Sequence, residues 1–179
     1  MKVDLRERLV SLRWLAVSLL GACFVGTSAS AAILTFEANL DGLQETPPNA
    51  SPAFGFAELT LDDSSGFVTI TTGTYQDLLG GSSGVHIHGL AGPGTAAPVI
   101  IALTLDSPGA TTGTFSGSGT LTGAQIAGMI AGDTYVNVHS SVFPGGEIRG
   151  QLELVPEPSS VALACAGLAG LVVIIRRRK

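Results

Sequence analysis

The sequence predicts an all-β domain, an antiparallel sandwich or Greek-key barrel with one short helix. An N-terminal signal helix and a C-terminal transmembrane helix flank it. Three observations carry this. Short runs of β-branched and aromatic residues alternate with polar ones through the middle of the chain. Clusters of Gly, Pro, Asp and Ser separate the runs, as turns between strands require. Both ends are apolar and flanked by cations, whereas the middle is acidic.

The elements follow in order. Ile33 to Leu40 reads as a first strand, and Asp41 to Pro52 as a turn-rich loop with Pro47-Pro48 and Ser51-Pro52. Phe54 to Leu61 alternates cleanly. Asp62-Asp63-Ser64-Ser65-Gly66 has the composition of a hairpin turn, and Phe67 to Tyr75 is the returning strand. Leu78 to Gly84 is a Gly/Ser loop. Val85 to Leu90 is a short strand, broken by Gly92-Pro93-Gly94, and Pro98 to Leu105 is another. Thr111 to Thr120 alternates Gly, Ser and Thr, the pattern of an exposed strand. Thr122 to Ala131 is the one helix, with Thr122 as N-cap and Ile126, Met129 and Ile130 as its apolar face. Tyr135 to His139 and Ile148 to Leu154 complete the set. Seven or eight short strands with Gly/Pro turns fit a sandwich or barrel.

The ends read as targeting segments, which divides the chain into a signal peptide (1–31), a β domain (32–155) and a tail (156–179). Lys2, Arg6, Arg8 and Arg13 precede an apolar run from Trp14 to Val25, and Ala29-Ser30-Ala31 offers a signal peptidase site. Two alternatives stay open there: an uncleaved anchor, and lipidation of Cys23 within Leu20-Gly21-Ala22-Cys23. At the other end, Ser159 to Ile175 is uncharged and apolar, and Arg176-Arg177-Arg178-Lys179 closes it. Such a run sits at the lower limit for crossing a bilayer, and its cations should stay cytoplasmic. The β domain would then lie on the far side, exported and anchored in the inner membrane through this helix.

Charge and cysteine content exclude several classes. Between Ile33 and Val155 there are eleven carboxylates and a single cation, Arg149, for a net charge of −10 against −5 for the whole chain. A nucleic-acid partner is excluded on that ground, because a phosphate backbone calls for a basic surface. Cations, metals or a basic partner remain compatible. Cys23 and Cys165 both lie in the terminal segments, so the domain must stand on its core without a disulfide.

All three histidines lie in two strands. His86 and His88 flank Ile87, so the pleat puts both imidazoles on one face; Tyr135, Asn137 and His139 share a face of the second strand. Neighbouring strands would let three imidazoles converge, a donor set suited to copper or zinc. The competing role is structural: each ring hydrogen-bonding a loop, here Gly92-Pro93-Gly94 or Phe143-Pro144-Gly145-Gly146. Glu147 and Arg149 lie two apart, which predicts a partly buried structural ion pair on one strand face. Ser140 and Ser141 follow His139, but no acid, base and nucleophile set is legible. Asp62 and Asp63 read as turn residues rather than a Ca²⁺ site.

Two resemblances add to this. Val155-Pro156-Glu157-Pro158, the apolar run and the basic end resemble the PEP-CTERM sorting signal of Gram-negative bacteria. That resemblance implies recognition of Pro156, Glu157 and Pro158 by an exosortase, removal of the tail, and association with the cell surface and exopolysaccharide production. Glu37-Ala38-Asn39-Leu40 with Gln44-Glu45-Thr46-Pro47-Pro48, Val85-His86-Ile87-His88-Gly89, Tyr135-Val136-Asn137-Val138-His139-Ser140 and Pro144-Gly145-Gly146-Glu147-Ile148-Arg149-Gly150-Gln151 together resemble the CHRD domain. That module repeats within chordin, an extracellular growth-factor-binding protein, and stands alone in bacterial secreted proteins. The His-x-His strand is also similar to copper-zinc superoxide dismutase, but that enzyme needs more than three histidines. The expected function is therefore a non-enzymatic, exported surface or extracellular-matrix module. It would be processed by signal peptidase and exosortase and would bind a partner or polymer, such as an envelope protein or exopolysaccharide. The alternative is a mononuclear copper or zinc protein using His86, His88 and His139.

Overall fold

The computed structural model describes residues 31–156. Eleven strands run in order: β1 (Ile33–Asp41), β2 (Phe54–Asp62), β3 (Phe67–Gln76), β4 (Ser82–Gly89), β5 (Val99–Ala102), β6 (Thr104–Leu105), β7 (Gly113–Ser116), β8 (Ser118–Thr120), β9 (Thr134–Ser140), β10 (Ile148–Gln151) and β11 (Glu153–Leu154). One α-helix, α1 (Gly123–Ile130), lies between β8 and β9. Every pairing is antiparallel, and the lateral order is β5-β4-β9-β10-β1-β2-β3-β7-β6, with β11 on β1 and β8 on β3.

The two ends of that order are consecutive pieces of chain. Only Leu103 separates β5 from β6, and its amide donates to the Val85 carbonyl of β4 at 3.0 Å. The sheet therefore curls until its edges nearly meet, which hides the unpaired backbone that an open sheet would expose. Inside, the period-two rule holds along each long strand. Phe36, Ala38 and Leu40 of β1, Ala57, Leu59 and Leu61 of β2, and Val68 and Ile70 of β3 are buried in one core. Val85 and Ile87 of β4 and Val136 and Val138 of β9 join them. At about 25 cal/mol per Å² of apolar surface removed from water, such a core is the main stabilising term for a domain without a disulfide.

Where the structure differs from the sequence expectations, the reason is local. The strands expected over 98–105, 111–120 and 148–154 are each interrupted. The breaks fall at Leu103, at Gly117 (φ +145°) and at Leu152, whose amide turns inward to the Thr134 carbonyl. The helix has the expected N-cap: Thr122 accepts from Gln125 N, and the Gln125 side chain accepts from Thr122 N, a capping box. Its apolar face is narrower than expected, because Met129 is buried and Ile126 packs on the core while Ile130 faces outward. The signal peptide (cleavage after Ala31 or lipidation at Cys23), the apolar run 159–175, and Glu157 and Pro158 lie outside the described residues. Among the described residues no helix is long and apolar enough to cross a membrane.

Candidate functional site

β4, β9 and β10 are neighbours in the sheet, so their outward residues form one surface. The register sets His88 opposite Tyr135, His86 opposite Asn137, Gly84 opposite His139, and Arg149 opposite Asn137. This is the polar face read from the sequence. It is not bare, however: three loops fold over it, and Tyr135, Asn137 and Arg149 are all buried beneath them.

The three imidazoles converge. One ring nitrogen from each lies within 4.8 Å of one from each of the others. His86 Nδ1 and His139 Nε2 are 3.0 Å apart, with ring centroids at 4.9 Å. The His86–His88 and His88–His139 centroid separations are 5.6 and 6.1 Å. Gly84 leaves room for them, since a Cβ there would lie 3.3 Å from His86 Cε1 and 3.8 Å from His139 Cδ2.

Each of two rings also holds a loop: His139 the expected Phe143–Gly146 segment, and His88 a residue three beyond Gly92-Pro93-Gly94. His88 Nδ1 donates to the Ala97 carbonyl at 2.9 Å, and His139 Nδ1 to the Pro144 carbonyl at 3.0 Å. A carbonyl accepts only, which puts the proton of each ring on Nδ1 and leaves Nε2 with its lone pair. His139 Nε2 then accepts from His86 Nδ1. His88 Nε2 is buried and finds no hydrogen-bond partner in the protein. All three rings are held below the ordinary imidazole pKa. Burial is the main cause for each, reinforced for His86 by His139 and His88 and opposed for His88 and His139 by their loop carbonyls. They are therefore neutral at pH 7.

Beside the histidines lies a buried polar network. Tyr135 stacks on His88 with ring centroids 4.9 Å apart and planes 6° from parallel, and Arg149 Cζ sits 3.4 Å over the same Tyr135 ring. The tyrosine hydroxyl accepts from Ala97 N at 3.0 Å. Arg149 donates to the carbonyls of Thr95 and Gly92, to Thr46 Oγ1 and to Gln151 Oε1. Gln151 in turn donates to the Ala91 and Gly132 carbonyls. Asn137 Nδ2 donates to Glu45 Oε1 at 2.7 Å. Burial pushes the Glu45 carboxyl up to about 7, although the Thr46 amide, the Arg149 charge and Asn137 all pull it down.

The expected Glu147–Arg149 ion pair is not formed. Arg149 is buried as expected, at 2 % exposure, but its bonds go to loop carbonyls and side-chain oxygens. Glu147 precedes β10 rather than belonging to it, so strand alternation does not govern where its side chain points. Its Oε1 accepts from Ser51 Oγ and Leu79 N, each at 2.6 Å, and its backbone carbonyl accepts from Asn49 Nδ2. Both residues are structural, but they clamp different loops.

The remaining expectations fall into place. Ser140 lies on the opposite face of β9 from His139, buried, with its hydroxyl accepting from Phe143 N. Asp62 accepts from Ser64 Oγ, Ser64 N and Ser65 N, which holds its pKa down to about 2, and Asp63 accepts from Ala32 N. Asp62 closes β2 and accepts from the turn, and Asp63 lies in the turn itself. Pro156 of the sorting motif follows directly on Val155, whose amide donates to the Thr35 carbonyl at 2.9 Å. A cleft of about 210 Å³ opens by Glu45, Thr46, Pro93 and Arg149 and does not include the histidines. The reading of the sequence missed the roles of Glu45, Tyr135 and Gln151, and the part played by the carbonyls of Ala97 and Pro144. Tyr135 and Asn137 were placed on the correct face; nothing local marked the loops as their partners.

Comparison with known protein families gives two matches. The model of the CHRD domain matches residues 36–152, and that of the PEP-CTERM protein-sorting motif matches residues 154–179. The sorting motif implies export and processing by exosortase. No curated protein and no solved structure matches the chain.

Proposed function

This chain belongs to the CHRD domain family, and from that premise we propose that it is a non-enzymatic surface or matrix module that binds an envelope protein or an exopolysaccharide. The observation that carries the reading is where the fold ends. Among the described residues the last sheet bond is made by Val155, and Pro156-Glu157-Pro158 starts at the next residue, within the matched sorting motif. A cut beyond that point frees the whole β domain, intact, on the outside of the cell. The domain needs no cysteine to survive there, and its net charge of −10 keeps it soluble and unattached to nucleic acid. A partner that binds it would present cations, or would share bridging cations with it. Ser140, the hydroxyl nearest His139 in sequence, turns away from the ring and serves a turn, which favours a binding role over hydrolysis.

Replacing Glu157 by Ala tests the reading. The wild-type protein should be recovered from the cell surface or medium at a mass lacking the tail. The Glu157→Ala protein should remain in the membrane fraction at the greater mass. The processed wild type, added back to cells, should bind exopolysaccharide-producing cells more than non-producing ones if the partner is the polymer, and both equally if it is an envelope protein. Identical mass and location for the two proteins would refute surface release.

A further inference from the structure

We propose that His86, His88 and His139 form a mononuclear site for a divalent transition-metal ion of the copper–zinc class. β4 and β9 are directly paired, and both are fixed on their other face by Val85, Ile87, Val136 and Val138 in the core. A donor set on such a platform is preorganised.

The loop carbonyls then choose the nitrogens. By holding the Nδ1 protons of His88 and His139, Ala97 and Pro144 leave both Nε2 lone pairs directed away from the loops. A second bond from the ring to a carbonyl is the usual way in which a metal-binding histidine is oriented and its basicity raised. His88 is the telling case. Its Nε2 is buried without a protein partner, as are Thr134 Oγ1, Asn137 Oδ1 and Glu147 Oε2, but of these four atoms it alone belongs to the converging histidines, where an ion would satisfy it. His86 supplies the third donor. Its Nδ1 already lies 3.0 Å from His139 Nε2, and moving its proton to Nε2, the other neutral tautomer, frees Nδ1 as a ligand.

Distances and charge are compatible. Zinc or copper bound by imidazole at about 2.0–2.1 Å in tetrahedral geometry spaces the nitrogens about 3.3 Å apart. The present arrangement, with one pair at 3.0 Å and one nitrogen of each ring within 4.8 Å of the others, is close to that spacing. The rings are neutral and the set contains no carboxylate, which selects a borderline metal over calcium or magnesium. Arg149 is the nearby cation and opposes a dication. Its guanidinium is spread over the Tyr135 ring and faces Glu45, and the domain as a whole carries −10. Three protein nitrogens leave a fourth position for water or for a donor from a partner.

The test is titration of the full chain, freed of metal by a chelator, with Zn²⁺ and with Cu²⁺. Calorimetry should show one ion per chain, and the Cu²⁺ complex should show nitrogen hyperfine structure in its electron paramagnetic resonance spectrum. His88→Ala removes the Ala97 bond and the Tyr135 stack, so loss of binding there has two explanations. His86→Gln is decisive, because the His86 ring holds no loop. It should keep the wild-type melting temperature and weaken binding at least tenfold; His139→Gln should weaken it by a similar factor. A triple Gln variant gives the background from the rest of the chain. Binding no stronger in the wild type than in the triple variant would overturn the proposal. So would equal affinity in the wild type and His86→Gln, or a copper spectrum without nitrogen coupling.

Discussion

Replacing Arg149 by Ala should be among the most damaging single changes in the domain. The guanidinium donates four hydrogen bonds, two of them to the carbonyls of Thr95 and Gly92, and it stacks on Tyr135. Bonds from a charged donor contribute about 1.5–3 kcal/mol each, and a desolvated cation–π contact about 2 kcal/mol. Against this stands the desolvation of a buried cation, which the alanine variant recovers. The Gly92–Ala97 loop can also partly rehydrate its carbonyls. The net loss should be about 3–4 kcal/mol. In a domain of this size each kcal/mol shifts the midpoint by about 3–5 °C, so Tm should fall by about 10–18 °C. Arg149→Lys keeps the charge but not the planar fork, reaches fewer of these oxygens, and should fall roughly half as far. Thermal melts followed by circular dichroism measure both. A drop under about 3 °C for Arg149→Ala would mean that the loops do not depend on the guanidinium, and the structural account of this residue would be wrong.

Two further outcomes follow from the same network. Glu45 titrates at about 7 in the folded domain against 4.5 in an ordinary carboxyl, so the folded state holds the proton more tightly and loses stability as pH rises between those values. Glu45→Gln cannot ionise; its Tm advantage over the wild type should therefore grow from pH 4.5 to about 7 and then level off, and a constant difference over that range would contradict the assignment. Gly146 lies at φ +132°, and a Cβ there would fall 2.4 Å from Asn137 Nδ2 and 2.6 Å from Glu45 Oε1. Gly146→Ala should thus destabilise by about 2–4 kcal/mol in denaturant titration, through backbone strain and a clash with a buried hydrogen bond; an unchanged midpoint would show that the loop moves aside freely.

How far the sequence carried depended on the range of the rule used. Alternation along Tyr135–His139 and across Val85-His86-Ile87-His88 placed five polar side chains on one face and four apolar ones in the core, because a strand in a ladder obeys period two wherever it pairs. The same rule failed at Glu147, one residue outside β10: its amide donates to the carbonyl of Val138, which is already paired with Ile148, so regular alternation is broken there. The N-cap at Thr122 was legible because a capping box is complete within four residues. The partners of Arg149 were not: Thr46 lies 103 residues away and Thr95 54 away. No periodicity reports which loop closes over a face. The block from Pro144 to Gln151 was recognisable only as a pattern, and its physical content appears once the loops are in place. Gly146 clears Asn137 and Glu45, Glu147 holds Ser51 and Leu79, Arg149 and Gln151 hold the Ala91–Thr95 loop, and Gly150 lets β1 approach, since a Cβ there would meet Asn39 O at 2.5 Å.

The polar face is thus a second, hydrogen-bonded core, and it joins the histidine cluster to the loop clamp. Tyr135 touches both, with His88 stacked on its ring and Arg149 lying over it. The loop that Arg149 clamps at Gly92 and Thr95 is the one whose Ala97 carbonyl sets the proton of His88. Loosening that loop removes the bond that keeps the His88 lone pair on Nε2, without touching any imidazole. His139 is oriented independently, through Pro144. The buried polar groups therefore orient the histidines as well as stabilise the loops. An apolar replacement of similar volume could support the sheet equally well, as it can for many buried ionic groups. It would not hold two carbonyls over two imidazoles on adjacent strands, and that arrangement is what distinguishes this face from the rest of the barrel.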